Sequence, residues 1–462
     1  MAAATAAAPG DRVEIDGWIY VRLEGGPRTR GRQHGQALAK ELLYALDIGD
    51  YMARWDTGDG LMDFAESVDE AFGPLDEEYE EEIRGIVDGV TAAGPPITPG
   101  GIPVTRDVLV AWNGYSELLG NWWPAATPGA SPSNAVRTKG GLEHCSAFIA
   151  MGGRTDGGKI VMAHNTWDRY AIGDSYNIIL DIVPPPGDGH RMLMQAGPGY
   201  ITSNMDWVVT DAGLMITETT IGSFSGFKRG LNPEFQRSRH AAQYSTSISE
   251  WCDRMLTRNN GGYANTWLLG ETKNPNEKNG RKIARFDLGL KFHGYEETTD
   301  GYYSGYNVAA DLRVRNQECS DPGAYSDIRG NGARRVRFDQ LLKDATGLTA
   351  VKARDIISDH HDVFTGMDKT PCSRTICGHL ELDDARIGNH GQGPFYPWGA
   401  NDGKVMDSDM AAAMTFEGRW GNSCGTPFSA DDFVKKHRQY DWLEKKMKNR
   451  PGHSWVSLPP HH

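Results

Sequence analysis

The stretch HCSAFIAMGGRTDGGKIVMAHNTW, His144 to Trp167, constrains the fold more tightly than any other part of this chain. Ser146 to Met151 and Lys159 to Ala163 are short apolar runs rich in Ile, Val and Phe. Between them Gly152, Gly153, Gly157 and Gly158 flank Arg154-Thr155-Asp156. Glycines admit the positive φ angles that tight hairpin turns need, so the pattern predicts two antiparallel strands joined by a turn. With the turn centred near Thr155, Cys145 falls opposite Asn165 and Ser146 opposite His164. Directly opposed residues lie roughly 4.5–5.5 Å apart. The pattern thus gathers a thiol, an imidazole, an amide and an indole at one end of a hairpin.

Ahead of this hairpin the periodicity is mostly helical. Val13 to Leu23 reads as a strand, and Gly31-Arg32-Gln33-His34-Gly35 leads into a helix whose apolar stripe is Leu38, Leu42, Ala45 and Leu46. A second helix is predicted after Pro74, with Leu75, Tyr79, Ile83, Ile86, Val87 and Val90 on one face. Its acidic residues Asp76, Glu77, Glu78, Glu80, Glu81 and Glu82 suit the positive end of the helix dipole and read as a solvated face. A third helix is predicted from Arg106 to Leu119. Pro124 to Gly141, rich in Pro, Gly, Ser, Thr and Ala, has little to bury and reads as an exposed linker ending just before His144 and Cys145.

After the hairpin the chain is strand-rich: Asn177 to Val183, Trp207 to Thr210, Leu214 to Thr220, Thr266 to Leu269 and Ile283 to Leu288. Arg334 to Leu342 and Ala350 to Ser358 read as helices. The segment from Thr370 onward, rich in Gly, Pro, His and Trp, gives no periodic signal.

The formal charge of -13 argues against nucleic-acid binding, which needs clustered Lys and Arg. No run of ~18 apolar residues is present, so no spanning helix is expected. Met1 to Pro9 is alanine-rich but lacks the basic start and apolar centre of a secretory signal. That leaves a cytoplasmic protein, or a secreted one whose signal is absent from this sequence. Six cysteines in 462 residues are not a disulfide scaffold. Cys372 and Cys377 could pair, stay reduced or suggest half a zinc site, but no second pair or His cluster with metal spacing accompanies them. In Asp359-His360-His361-Asp362 the adjacent histidines point to different sides, which favours a surface or capping role over a metal. The motifs G-x-S-x-G, H-E-x-x-H, the phosphate-cradling glycine loop and the dinucleotide fingerprint are all missing, and no cofactor is expected.

What remains is a cysteine after a linker and at the head of a strand. A thiol is the most nucleophilic common side chain at neutral pH once a base or a lowered pKa activates it. Cleavage of the His144–Cys145 bond would supply that base, because the new α-amine titrates near ~7.7–8.0 and sits on the nucleophile's own residue. The same thiol can make the cut by attacking the carbonyl of His144. The competing reading is a buried strand cysteine beside a satisfied core histidine, in a binding or scaffold protein.

The ordered blocks HCSAFI, AHNTW, TETTIG, ANTW and GYN resemble the phospholipase B-like family of N-terminal nucleophile hydrolases, related to the penicillin acyltransferase-type enzymes. The resemblance covers roughly Cys145 to Phe338 well, and RGRQHG also looks like a motif of the acyltransferase relatives. It implies an α+β fold, a four-layer αββα sandwich of two packed, mainly antiparallel sheets. It also implies a precursor cut before Cys145, with residues 1–144 the released N-terminal fragment and 145–462 the catalytic fragment, both parts of one domain.

By motif matching Cys145 is the nucleophile, with His164, Trp167 and Thr220 beside it. Asn307 matches the position expected to help form the oxyanion hole, and Arg334 a family arginine near the site. Asn165 and Asn265 match further motif positions and are expected to bind substrate. On the residues alone, His164 orients the amine, binds substrate or only packs, and Arg334 clamps an anion or forms a structural ion pair. The expected activity is hydrolysis of a linear amide through a thioester, the alternative being acyl-ester hydrolysis of phospholipids. The expected partners are a small amide or lipid substrate and the other self-cleaved fragment, with a homo-oligomer left open. The chain is shorter than the animal members and differs from them in its C-terminal third.

Overall fold

A computed structural model describes residues 8–126, 145–273, 280–384 and 393–460. The N-terminal segment supplies strands β1 (Arg12–Ile15) and β2 (Trp18–Glu24). From the predicted hairpin onward come β3 (Ser146–Gly152), β4 (Gly158–Asn165), β5 (Trp167–Arg169), β6 (Ile178–Val183), β7 (Met192–Ala196), β8 (Trp207–Thr210) and β9 (Leu214–Thr220). Next are β10 (Asn265–Glu271), β11 (Lys282–Leu288), β12 (His293–Thr298) and β13 (Gly301–Gly305). The unassigned C-terminal region contributes β14 (Trp398–Ala400), β15 (Asp402–Asp407), β16 (Phe416–Trp420) and β17 (Val456–Leu458).

These strands form a nine-stranded sheet, β1-β2-β6-β7-β8-β9-β10-β11-β12, and a six-stranded sheet, β13-β3-β4-β15-β16-β17, with β14 and β5 as a separate pair. Only β2 and β6 run parallel; every other described pair is antiparallel. The two sheets face each other. Gly270 of β10 leaves room for Ile149 of β3 and Ile160 of β4, which would meet an added Cβ at 3.3 and 3.4 Å. Helices cover both outer faces. On the larger sheet Trp251 of helix Ile248–Leu256 packs edge-on against Trp267 of β10, ring centroids 4.8 Å apart. On the smaller, Phe338 of helix Asn331–Leu342 meets Phe148 of β3 at 6.0 Å, and Ala353 and Ile357 of the next helix join the same cluster. The molecule is therefore an α+β protein in four layers, αββα, as the motif resemblance implied.

The N-terminal strands meet at the two-residue turn Asp16-Gly17, both at positive φ (44° and 88°), the hairpin conformation whose twist matches its flanking strands. The motif RGRQHG lies in helix Pro27–Ala37, which crosses helix Glu77–Ala93 at backbone contact. A Cβ on Gly31 or Gly35 would lie 2.0 or 2.1 Å from the carbonyl oxygens of Glu82 and Ile86, and Gly85 and Gly89 return the same close approach. Only glycine fits such a crossing.

Three expectations are corrected here. The helix predicted from Arg106 to Leu119 stops at Asn113, and Gly114 precedes a short turn and a π-helical stretch at Leu118–Trp122. The acidic run of helix Glu77–Ala93 is not all solvated: Glu82 is buried between Arg30 (2.8 Å) and Arg239 (2.9 Å). Pro124 to Ala126, read as the start of the linker, belong to a helical turn, while the rest of the linker and His144 lie outside the described residues. No described helix is long and apolar enough to cross a membrane.

Candidate functional site

The hairpin β3–β4 forms as predicted, but its register differs by one residue. Ser146 pairs with Asn165 and Ala147 with His164, because a bulge just after the turn sets two residues of β4, Lys159 and Ile160, against the single Met151 of β3. Below the bulge Gly152 still pairs with Gly158, the register a turn centred on Thr155 demands. A slip of one residue exchanges the faces of a strand. The consequence at the site is large. Cys145, in line with Ala147 and Ile149 by strand alternation, shares the face between the sheets with Ile160, Met162 and His164 rather than with Asn165. Ser146 and Asn165 point the other way, toward the helices.

Cys145 is fully buried. Its backbone nitrogen donates to Asn307 Oδ1 at 3.0 Å, and its Sγ lies 3.8 Å from Asp206 Oδ2. His164 Nε2 lies 3.9 Å from the same carboxylate. Burial, reinforced by the charge of Lys404, holds His164 well below the usual imidazole range, so the ring is neutral. Lys404, directly across from His164 on β15, donates to Thr166 Oγ1 and to the Met205 carbonyl, both at 2.9 Å, and to Gln195 Oε1. Burial pulls its pKa down while Asp402, Asp206 and Cys145 push it up.

Arg334, predicted near the site, is its second buried cation. It donates to the Cys145 carbonyl, to Ser146 Oγ (3.1 Å), to Asn307 Oδ1 (2.8 Å) and to Asn331 Oδ1 (2.9 Å), and stacks on Trp167 with its central carbon 4.4 Å from the ring. These acceptors are neutral, so burial lowers the guanidinium to about 9 with the Cys145 sulfur as the opposing influence. The side chain remains charged at neutral pH. Neither the anion clamp nor the ion pair read from sequence describes its contacts: Arg334 binds the backbone of Cys145 itself.

Asn307 was expected to offer its NH₂ to an oxyanion. Instead Nδ2 donates to the Thr220 carbonyl at 2.8 Å, and Oδ1 accepts from Cys145 N and Arg334, two donors that leave the amide only this orientation. Its φ is 65° and that of Asp206 is 62°, left-handed conformations held at two residues that touch Cys145. Thr220 enters through that carbonyl, while its hydroxyl lies 3.4 Å from Tyr263. Thr219, on the opposite face, is the threonine that reaches the space between the sheets, against Gly305 of β13.

Asn165, expected to bind substrate, serves the scaffold. Its oxygen accepts from Ser146 N and Trp167 Nε1, and its NH₂ reaches the carbonyls of Ile357 and Ile376 and the Ser423 hydroxyl. Trp167 is likewise enclosed, between Arg334 and Gly378. Asn265 pairs with Thr220 across β9–β10 and is buried, its amide with no hydrogen-bond partner among the described residues. Recesses border both neighbours of the thiol. One is lined by Asn307, Val308 and Asn331 and one by Asp206, Thr202 and Trp207, each with room for about one water.

Sequence reasoning missed Asp206 and Lys404. A lone Lys on the core-facing parity of DGKVMD was the available signal, but β15 lies in the region that gave no periodicity. Two sets of side chains have metal-compatible spacing: Cys145, His164 and Asp206, and separately His360, Cys377, His379 and Cys424. At the first, the Lys404 ammonium already faces Asp206 and the thiol, which opposes a second cation. The second corrects the half-site reading: Cys377 has partners from other loops, and Cys372 is not among them. All six cysteines are free thiols.

A phospholipase B family model matches residues 114–315. A protein of Archaeoglobus fulgidus described as uncharacterized is 26% identical over 270 residues, 56% of this chain and 42% of its own. Human phospholipase B-like 1 is 24% identical over 284 residues, 56% of this chain and 50% of its own. Phospholipase B-like protein G of Dictyostelium discoideum is 25% identical over 189 residues, 36% and 31% of the two chains. The chain spans half or less of the length of these relatives. The matched segment contains Cys145, His164, Asp206, Thr220 and Asn307. The resemblance carried by the motifs therefore holds, and over its central segment this chain is a relative of the phospholipase B-like proteins.

Proposed function

We propose that this protein is a hydrolase activated by cleavage of its own chain before Cys145, which then hydrolyses linear amides through a thioester. The observation that carries the reading is the placement of the Cys145 backbone nitrogen on Asn307 Oδ1 while the sulfur faces Asp206 and the His164 side of the sheet interface. In the precursor the thiol adds to the His144 carbonyl, the peptide nitrogen leaves with a proton, and water opens the resulting thioester. The freed α-amine keeps its hydrogen bond to Asn307 Oδ1. That bond uses one N–H and leaves the lone pair free to take the thiol proton.

In turnover the thiolate attacks the substrate carbonyl, the α-ammonium returns its proton to the departing amine, and water hydrolyses the acyl-enzyme. The charges of Arg334 and Lys404 act on the Cys145 sulfur, and nearby cations favour a thiolate. Asn307 acts here as the holder of the amine rather than as an oxyanion donor, and His164, neutral and buried, as a wall of the nucleophile's chamber. The N-terminal piece stays bound as a second subunit, since β1 and β2 belong to the larger sheet. The names of the relatives favour acyl esters of phospholipids as the competing substrate class.

Intact-mass measurement of the full chain tests activation: two fragments, one ending at His144 and one starting at Cys145, are expected, and Cys145→Ala should stay whole. A wild-type chain that remains intact and behaves like Cys145→Ala would leave a scaffold protein. A panel of N-acyl amines, peptides and lysophospholipids, scored for acid release, tests substrate. Turnover of the lipid esters alone would overturn the amide preference.

A further inference from the structure

We propose that His360, Cys377, His379 and Cys424 form a structural zinc site. Their four ligand atoms lie within 4.8 Å of one another, although they come from two separate loops, the long connection after Ile357 and the one after Trp420. His379 Nε2 is 3.3 Å from Cys377 Sγ and 3.5 Å from Cys424 Sγ. Zinc bonds of roughly 2.3 Å to sulfur and 2.0–2.1 Å to nitrogen place tetrahedral ligands about 3.5 Å apart, so these atoms already stand at ligand spacing. The His360 ring lies 5.1 Å from that of His379, and His360 Nε2 is buried beside the Cys424 sulfur. Its neighbour His361 turns outward to Asp368 at 2.6 Å, so the reading of the His-His pair as a surface feature holds for only one of the two.

The surroundings are those of a metal site. His379 Nδ1 contacts Glu381 Oε1 at 2.8 Å, the carboxylate that typically fixes the tautomer of a ligating histidine and leaves Nε2 for the metal. The Thr426 backbone N–H donates to Cys424 Sγ at 3.4 Å, a hydrogen bond suited to a thiolate. Two thiolates and two neutral imidazoles match one divalent charge. Four protein ligands leave no open position, which is the mark of a structural rather than a catalytic zinc, and the donor softness selects zinc over calcium or magnesium.

The site has a structural load to carry. Gly378, between two of the ligands, accepts the Trp167 ring where a Cβ would lie 2.3 Å from it. Ile376 and Ser423, each next to a ligand cysteine, hold the Asn165 amide, both at 3.2 Å. The metal would thus tie two C-terminal loops together behind the hairpin end that carries Cys145.

The proposal does not depend on the hydrolase reading, because its test measures metal. The full chain purified without added metal should carry one zinc per chain by elemental mass spectrometry. Cys377→Ser and Cys424→Ser should lose it, and His361→Ala should keep it. Exchange of the wild-type protein with cobalt(II) should give the intense visible bands of tetrahedral thiolate coordination, so the result stands even if a serine variant fails to fold. A folded wild-type chain with no bound metal after incubation with zinc, or one whose peptide map shows a Cys377–Cys424 disulfide, would overturn it.

Discussion

At the level of single residues, the site is built from buried groups that hydrogen-bond to one another and to the backbone around them, so small changes should have large effects. Arg334→Ala strips donors from the Cys145 carbonyl, Asn307 and Asn331, and a buried acceptor left unpaired costs about 1–3 kcal/mol. Urea unfolding should show that loss, and cleavage of the chain, followed by mass, should slow more than a hundredfold. Arg334→Lys keeps the charge without the fork and should recover stability better than cleavage.

His34 gives a separate signature. Burial lowers its pKa to about 4, and Nε2 accepts from the Gly199 backbone N–H at 2.9 Å. Since the folded value lies below the unfolded one near ~6.5, the unfolded chain takes up the proton first as pH falls. Stability from this group is therefore complete above ~6.5 and lost on the way down to about 4, by roughly 3 kcal/mol at most. The wild type minus His34→Gln difference in urea midpoint, measured across that window, reads it.

Among the elements, strands and helices with a strong period were legible. β8 and β9 have the residues that alternation and β-branching assign, because a buried strand is written in its own side chains. Helix Arg106–Asn113 was overextended because apolar spacing continues through Gly114 while the backbone does not. The acidic helix misled for a different reason: helical spacing says which residues share a face, but not that another element brings two arginines to it. Glu82→Ala would leave Arg30 and Arg239 buried without their shared carboxylate. A loss of about 3–5 kcal/mol is expected, measurable by denaturant titration at neutral pH.

At the scale of the whole molecule, the two sides of the proposed cut are interleaved. β2 pairs with β6 along six residues, and helices Pro27–Ala37 and Glu77–Ala93 pack on the same core. After cleavage the fragments should therefore co-elute in size-exclusion chromatography and separate only in denaturant. Separation without denaturant would refute the shared sheet.

The chain by itself determined the hairpin, Cys145 at its head, the main strands and the place of Arg334 and Asn307 near them, since local periodicity and short motifs carry that information. Tertiary structure alone decided that His164 rather than Asn165 shares the face of Cys145, because one bulged residue in β4 inverts that strand against β3 and no local pattern records it. It alone brought Asp206 and Lys404 to the sulfur, and His360, Cys377, His379 and Cys424 to one another, from positions far apart along the chain. Such meetings depend on how sheets and loops close on each other, and spacing along a sequence does not measure that distance.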